Sequence, residues 1–182
     1  MKDFNQNIVL ETKDLYLRYL TLDDKQAIFN NINNDKEVLK YYVTNYADNI
    51  EDFYFERMLN SFIETQKYIF AIVLKQNNEV IGNILQCNNP FELMNSVELG
   101  YAIGKKYWNK GYMSQALKAM IDFMFKNGVH KVWSCHIEDN IASGVVMKKC
   151  GMIFEGVRKD DLYYHDRYWD TLVYYIINGE EL

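Results

Sequence analysis

A glycine turn between a predicted strand and a predicted helix is the first place where residue types and spacing indicate chemistry. The segment reads KKYWNKGYMSQAL, residues 105–117, and contains Gly111 and Ser114. A helix that begins near Gly111 presents unpaired backbone N–H groups and the positive end of its dipole. Glycine allows a sharp turn and a close approach by a ligand. The pattern predicts an anion site, most naturally for phosphate or pyrophosphate.

Spacing alone leaves two interpretations of this turn open. Lys105, Lys106 and Lys110 add local positive charge to a chain whose formal net charge is −5. The alternative is a solvated, lysine-rich loop with a glycine turn, because a lone glycine loop is a weak indicator of a site.

The preceding strand, SVELGYAI, has two different faces. Because side chains alternate along a strand, one face carries Val97, Leu99, Tyr101 and Ile103, and the other carries Ser96, Glu98, Gly100 and Ala102. The second face combines one carboxylate with three small residues, which predicts room for a ligand beside an acid. A partly buried Glu98 with a raised pKa suits a general base. The alternative is a glutamate at a solvent-exposed strand position.

Composition narrows the class of protein. The 182 residues, 49% hydrophobic and 25% charged, suit one domain spanning 1–182. The three cysteines form no CxxC pair, and the three histidines do not join them at metal-ligand spacing, so we expect neither disulfides nor a metal. The net charge argues against general nucleic-acid binding and is compatible with a cationic substrate such as an amine.

No targeting or membrane segment is evident in the sequence. The first residues are polar and mixed in charge, unlike a signal peptide. The longest apolar run, residues 68–74, is far shorter than the roughly 20 residues of a membrane helix. These features predict a cytoplasmic protein that does not associate with membranes.

The hydrophobic pattern places strands and helices in an α+β or mixed α/β order. Thr21 and Asp24 resemble a capping box at the start of one helix, and Asn49 is a candidate N-cap for another that runs to about residue 66. The Rossmann, P-loop and GxSxG patterns are absent, which excludes those enzyme classes. The predicted strands cover 8–20 (two short strands), 68–75, 79–86, 96–103, 131–138, 152–158 and 168–177, and the later helices cover 111–126 and 140–150.

Three motifs in order carry a resemblance to a known family. They are residues 98–117 (ELGYAIGKKYWNKGYMSQAL), residues 138–152 (EDNIAS followed by KKCGM), and residues 155–170 (EGVR followed by DRYWD). Together they resemble the GNAT superfamily of N-acetyltransferases, and within it the RimJ/RimL-type branch that acetylates ribosomal-protein N-termini and other amines. The resemblance implies a central, mostly antiparallel twisted sheet of about seven strands flanked by about four helices.

The sequence departs from the family pattern at the glycine turn. The superfamily usually has Gln or Arg, then Gly, then Gly or Ala, where this chain has Trp108, Gly111 and Met113. Gln115 stands where Glu is common. Met113 is expected to narrow the phosphate-binding turn. Trp108 need not abolish phosphate binding, because backbone N–H groups make most of the hydrogen bonds to the phosphate.

The resemblance implies acetyl-CoA as the acetyl donor. The diphosphate is expected on the amides of the glycine turn, the pantetheine arm beside the strand 96–103 where it separates from strand 131–138, and the acetyl end near the helix that follows Asn140. The residues that the resemblance assigns to the cofactor are Gly100, Tyr101, Ala102, Ile103, Trp108, Asn109, Lys110, Gly111, Tyr112, Met113, Ser114, Asn140, Ser143 and Lys148.

The implied reaction is direct attack of an amine on the thioester. Glu98 is the expected base, acting through a water, because an ammonium must lose a proton before it can attack. A backbone N–H of strand 96–103 is expected to hold the oxyanion. Ser143 is expected to stabilise or protonate the leaving thiolate. Simple helix capping is the alternative role of Asn140, and a first-turn hydroxyl is that of Ser143.

The acceptor and two rival functions remain open. Candidate acceptors are a ribosomal-protein N-terminus, a polyamine, an aminoglycoside or another small amine. The segments expected to contact the acceptor are the aromatic segments 41–46 and 163–165 and the loop 87–94.

One rival function is a non-catalytic, CoA-binding or regulatory module on the same fold. The other is a hydrolase with Cys135 as nucleophile, for which no thiolate-activating setting is evident. Monomer and homodimer are both open.

Overall fold

The computed structural model describes residues 9–44, 46–88 and 94–179. Eight strands form one sheet in the order β1-β2-β3-β4-β5-β6-β8-β7, antiparallel throughout except for the parallel pair β5–β6. The strands are β1 Val9–Glu11, β2 Leu15–Tyr19, β3 Ile69–Leu74, β4 Val80–Gln86, β5 Ser96–Ile103, β6 Lys131–Ile137, β7 Ile153–Tyr164 and β8 Arg167–Ile177. The predicted fold class is confirmed, with one strand more than expected.

Five α-helices pack on this sheet within the described residues. They are α1 Lys25–Ile28, α2 Lys36–Leu39, α3 Phe55–Glu64, α4 Tyr112–Lys126 and α5 Ile141–Lys149. None of the helices in the described part of the chain is long and apolar enough to cross a lipid bilayer.

The capping box predicted at the first helical segment is confirmed. The Asp24 carboxylate accepts hydrogen bonds from the Thr21 backbone N–H (2.8 Å) and receives two from the Arg18 guanidinium (2.7 and 2.8 Å). A 3₁₀ turn, Leu22–Asp24, begins here and continues into α1. The carboxylate therefore fixes the direction in which the chain leaves β2.

The helix expected after Asn49 is interrupted. Asn49 precedes a short 3₁₀ turn, Ile50–Asp52, and Phe53 then adopts an extended conformation. Phe53 is buried against Phe29 and Phe55. The free energy gained by burying this aromatic ring offsets the loss of helical hydrogen bonds at Phe53. Helix α3 therefore begins only at Phe55.

The last two strands extend beyond their predicted limits into a hairpin. His165 and Asp166 form its turn, both with positive φ (52° and 59°). This geometry matches the right-handed twist of a hairpin and needs no glycine. The longer hairpin carries the tip of β7 and β8 toward the first helices.

Two hydrophobic clusters lie on opposite faces of the sheet. Under α4, the fully buried side chains include Leu117, Met120 and Ile121, which follow the helical spacing predicted for this segment. Each contributes roughly 1.5–3 kcal/mol through burial. The second cluster lies under α1, α2 and α3. Because β5 contributes to both clusters, its position and direction are fixed from both sides.

Candidate active site

The pairing of β5 with β6 ends after three residue pairs, and the candidate site lies where it ends. The pairs are Ser96–Lys131, Val97–Val132 and Glu98–Trp133. Beyond Glu98, β5 continues along β4. The Ser134 hydroxyl donates to the Leu99 carbonyl (2.7 Å) at the point of separation. The two strands therefore diverge beside Gly100, as the family resemblance implies.

Glu98 lies half-buried at this opening. Burial raises the pKa of its carboxyl above the ordinary value, while a hydrogen bond from the Cys135 thiol (3.7 Å) and the charge of Arg158 oppose the rise. The negative charge of Asp161 adds to it. A carboxyl with a raised pKa and a hydrogen-bonding thiol beside it has the character of a general base.

The small residues of β5 that follow Glu98, Gly100 and Ala102, are covered by other parts of the chain. A Cβ added at Gly100 would lie 3.0 Å from the Cys87 sulfur, so that thiol already covers the glycine. Ala102 is 6% exposed and belongs to the second hydrophobic cluster. The room for a ligand that the small residues predict is therefore taken up beside Gly100 and Ala102, and beside Glu98 it stays a prediction.

The glycine turn has the backbone conformation that its sequence predicts. Asn109 and Gly111 both have positive φ, 60° and 77°, and α4 begins at the next residue, Tyr112. No atom lies within 4 Å of the place where a Gly111 Cβ would stand. The Trp108 indole N–H donates to the Ile103 carbonyl (2.8 Å), which ties the turn to the end of β5.

Two of the three lysines near this turn are engaged elsewhere. Lys105 lies 3.8 Å from the Glu37 carboxylate and Lys106 lies 2.8 Å from that of Glu79. Hydrogen bonds from Lys106 and Tyr107 lower the pKa of Glu79 to about 2. Their positive charge is thus partly compensated by neighbours that the sequence pattern did not reveal.

Two of the departures from the family pattern, Met113 and Gln115, have separate structural accounts. Met113 is 7% exposed and packs into the core under α4. The prediction that its side chain narrows the glycine turn is therefore wrong. Gln115 accepts from the Thr12 hydroxyl (2.9 Å) and donates to the Asp14 carboxylate (2.7 Å). A glutamate could not make the second bond when ionised, so the amide joins α4 to the β1–β2 connection.

Helix α5 faces the same opening. The Asn140 side chain accepts from the Ser143 backbone N–H (3.3 Å), so Asn140 makes the helix cap that was its alternative role. The Tyr101 hydroxyl donates to the Ser143 carbonyl (3.3 Å) across from β5. A Cβ at Gly144 would lie 2.7 Å from the buried His136 ring, so glycine allows α5 to pack closely on β6.

The residues assigned to acetyl-CoA fit such a group in part. The open space above Gly111 and the first-turn N–H groups of α4 suit a diphosphate. Lys148, in the last turn of α5, is exposed and its ammonium lies 5.8 Å from the Tyr174 ring centroid. Its positive charge therefore lies at the surface, over the Tyr174 ring.

Two of the predicted acceptor segments meet in the structure. The Tyr164 hydroxyl donates to the Leu39 carbonyl (2.7 Å), which joins the hairpin tip to the chain that enters segment 41–46. The Tyr42 hydroxyl lies 3.4 Å from the Asn83 side-chain oxygen, under that segment. Residue 45 and residues 89–93 of the third segment, 87–94, lie outside the described residues.

The cysteine hydrolase is not supported. The Cys135 thiol contacts the Glu98 carboxylate, and burial raises its pKa to about 12, so the sulfur stays protonated. His136 is adjacent on β6, and consecutive strand side chains point to opposite faces. An activated thiolate needs the reverse setting.

The neighbours of Glu98 on β6 and β7 are not evident from the sequence. Trp133 and Cys135 share one face of β6, and the Arg158 guanidinium stacks 4.7 Å from the Trp133 ring centroid. The alternation of β6 was visible in the sequence. Its parallel register with β5, which sets Trp133 opposite Glu98, was not.

Comparison with known proteins gives the family. Residues 14–153 match the Acetyltransferase (GNAT) domain. The N-acetyltransferase YnaD of Bacillus subtilis, named as uncharacterized, is 29% identical over 94% of this chain and 98% of its own length. The [ribosomal protein uS5]-alanine N-acetyltransferase of Escherichia coli is 30% identical over 58% of this chain and 55% of its own length.

Solved structures of acetyltransferases have the same fold as this chain. A GNAT-family acetyltransferase from Bacillus anthracis superposes with a TM-score of 0.82 and 26% identity, covering 95% of this chain and all of the other. The fold is also that of the spermidine N-acetyltransferase of Vibrio cholerae, solved with CoA and spermine (TM-score 0.80, 21% identity, 92% and 98% covered). The family match spans most of the sheet together with the glycine turn and α5, and the chain therefore belongs to the GNAT family of N-acetyltransferases.

Proposed function

We propose that this acetyltransferase moves the acetyl group of acetyl-CoA to a primary amine by direct attack, with Glu98 as the base. The observation that carries the proposal is the position of Glu98. Its half-buried carboxyl, with a raised pKa, stands where β5 and β6 separate, while Tyr101 on the other face of β5 contacts the first turn of α5. A base is needed there because an ammonium has no lone pair with which to attack a carbonyl carbon.

The glycine turn and α5 hold the donor in this proposal. Backbone N–H groups from Lys110 to Ser114 bind the diphosphate, and Gly111 leaves the space it needs. The pantetheine arm lies along β5 near Gly100 and Tyr101. Acetyl-CoA supplies the acetyl group as an activated thioester.

Three groups of the chain then act on the reacting atoms. Glu98 removes the ammonium proton, directly or through a water. A backbone N–H of β5 beyond the separation from β6 donates to the developing oxyanion. The Ser143 hydroxyl, in the first turn of α5, donates to the sulfur that leaves. The cap that Asn140 makes to the Ser143 N–H holds this turn in place.

The acceptor is a peptide N-terminus or a small amine. By their names, one relative acts on an alanine of ribosomal protein uS5, and one structural neighbour acts on spermidine, a small amine. An N-terminal amine, with an ordinary pKa of about 7.7–8.0, needs less help from a base than a lysine-like amine near 10.4. A partly exposed carboxyl suits the easier of these two proton transfers.

The test has two readouts. Isothermal titration with CoA should show binding that Gly111→Ala weakens and Glu98→Gln leaves unchanged. Thiol release from acetyl-CoA should depend on an amine from a broad panel, and Glu98→Gln should lower kcat by about 100-fold or more. Binding without release for any amine would favour the rival function, a non-catalytic CoA-binding module.

A further inference from the structure

A groove of about 320 Å³ lies next to Glu98 on the face of the sheet that carries Trp133. Apolar side chains form much of its wall, and three charged side chains border it. Its lining residues are Met94, Ser96, Lys131, Trp133, Glu155, Gly156, Val157, Arg158 and Val173. Because Trp133 lines the groove and is the register partner of Glu98, the groove lies beside the proposed base.

Two of the three charges in this groove neutralise each other. The Lys131 ammonium lies 2.6 Å from the Glu155 carboxylate. The same ammonium lies 4.8 Å from the centroid of the Tyr175 ring. This ion pair leaves Arg158 as the charged lining residue available to a ligand.

The Arg158 guanidinium is fixed by stacking, but its N–H groups are available for hydrogen bonding. Its guanidinium stacks on the Trp133 indole, and its nearest carboxylate partner, Asp161, is 4.0 Å away, at the outer limit of an ion pair. It makes no hydrogen bond to any residue in the described ranges, although the side chain is only 47% exposed. The Asp161 carboxylate instead accepts from the Thr171 hydroxyl (2.5 Å). A planar guanidinium with free N–H groups matches the two oxygens of a carboxylate.

We propose that Arg158 makes the groove select acceptors that carry a carboxylate close to the reactive amine. The inference rests on the proposed function, since it places the amine at Glu98. An acceptor of this kind has an ammonium for the carboxylates of Glu98 and Asp161 and an anion for Arg158. A polyamine would set a second cation against Arg158 and lose binding energy.

The carboxylate has two sources, an acidic side chain next to an N-terminus or the free carboxylate of an amino acid. Three peptide amides that differ only in their second residue, Ala-Glu, Ala-Gln and Ala-Lys, test the first source. Alanine against alaninamide tests the second. Either preference supports the inference, and the pair tells how far the carboxylate lies from the amine.

The experiment compares kcat/KM for these acceptors, read by CoA release. The wild-type chain should prefer the Ala-Glu amide over the Ala-Lys amide, or alanine over alaninamide, by about tenfold, which is what one charge-assisted hydrogen bond provides at a half-exposed site. Arg158→Gln should remove the preference, and Arg158→Glu should reverse it.

Arg167 provides a matched control. Its guanidinium also stacks on an indole, that of Trp169 (3.1 Å), and lies 3.8 Å from a carboxylate, that of Asp139, but it does not line the groove. Arg167→Gln should keep the charge preference. Circular dichroism of each variant checks that the fold is intact.

Three results would overturn the inference. The first is equal kcat/KM within both comparisons, Ala-Glu against Ala-Lys amide and alanine against alaninamide. The second is a preference that survives Arg158→Gln. The third is an Arg158→Gln defect of the same size for every acceptor, which would mean that Arg158 only adjusts Glu98. If the enzyme releases CoA with other amines but not with these acceptors, only the inference about Arg158 is wrong. If no amine releases CoA, the proposed function is wrong as well.

Discussion

The thiol of Cys135 donates a hydrogen bond to the carboxylate of Glu98 across the parallel pair β5–β6, with 3.7 Å between sulfur and oxygen. The donor is reliable because burial raises the pKa of the thiol to about 12, so it keeps its proton. The bond favours the ionised carboxylate and opposes the larger effect of burial on Glu98. The two residues together therefore set the pH at which the proposed base becomes active.

The acid limb of the pH–rate profile should follow this pair. Because the base must be ionised, kcat/KM should rise with pH through the raised pKa of Glu98. Cys135→Ala removes a donor to the charged form, so the limb should move to higher pH. Cys135→Ser keeps a donor and is the control. Steady-state rates of CoA release across the pH range provide the measurement, and an identical limb in Cys135→Ala would contradict the assignment.

Glu98 should also reduce stability at neutral pH. Its folded-state pKa lies above the ordinary value of 4.5, so its contribution to stability is full below that value and is lost as pH rises through the folded pKa. The neutral, isosteric Glu98→Gln should therefore raise Tm at about pH 8 and have little effect at about pH 4. Calorimetry at both pH values measures this. A lower Tm for the variant at the higher pH would show that the carboxylate stabilises the fold.

Asp24 should behave in the opposite way. Burial raises the pKa of its carboxyl, but hydrogen bonds from Arg18 and Thr21 outweigh burial and lower it. The stability that Asp24 contributes is therefore present above the ordinary value of 3.8 and lost as pH falls through the folded pKa. Asp24→Asn should cost about 2 kcal/mol near neutral pH, since Asp24 is buried and Arg18 is partly exposed.

Urea unfolding of both chains across the acidic pH range measures the Asp24 effect. The gap between wild type and Asp24→Asn should narrow as the pH falls. Asp23→Asn is the control, since Asp23 is an exposed neighbour in the same 3₁₀ turn. A gap that stays constant with pH would mean that lost packing, and not the lost charge, destabilises the variant.

Local signals in the sequence predicted the elements that position the site. The alternation of SVELGYAI gave β5 its observed limits, Ser96–Ile103, and Asn140 caps α5, which was its alternative role. Gly111 forms the sharp turn that the sequence predicted, with a positive φ of 77°. These signals act within a few residues, where side-chain type decides backbone geometry.

Contacts between distant segments could not be predicted in this way. Glu37 and Glu79 come from other parts of the chain and compensate Lys105 and Lys106. Cys87 fills the space above Gly100 because β4 lies beside β5. Such contacts depend on strand order and register, which one sequence without homologues does not specify.

The two ends of α4 permit a matched test of the glycine turn. Gly111 precedes the helix and Gly128 follows it, both with positive φ (77° and 82°) and with no atom within 4 Å of an added Cβ. Alanine at either position should therefore cost about 1 kcal/mol of stability, through backbone strain alone. Only at Gly111 would the new methyl group enter the space proposed for the diphosphate. We expect Gly111→Ala to weaken CoA binding by about tenfold and Gly128→Ala to leave it unchanged, as measured by titration calorimetry. Equal losses of affinity in the two variants would show that helix stability, and not the turn itself, governs binding.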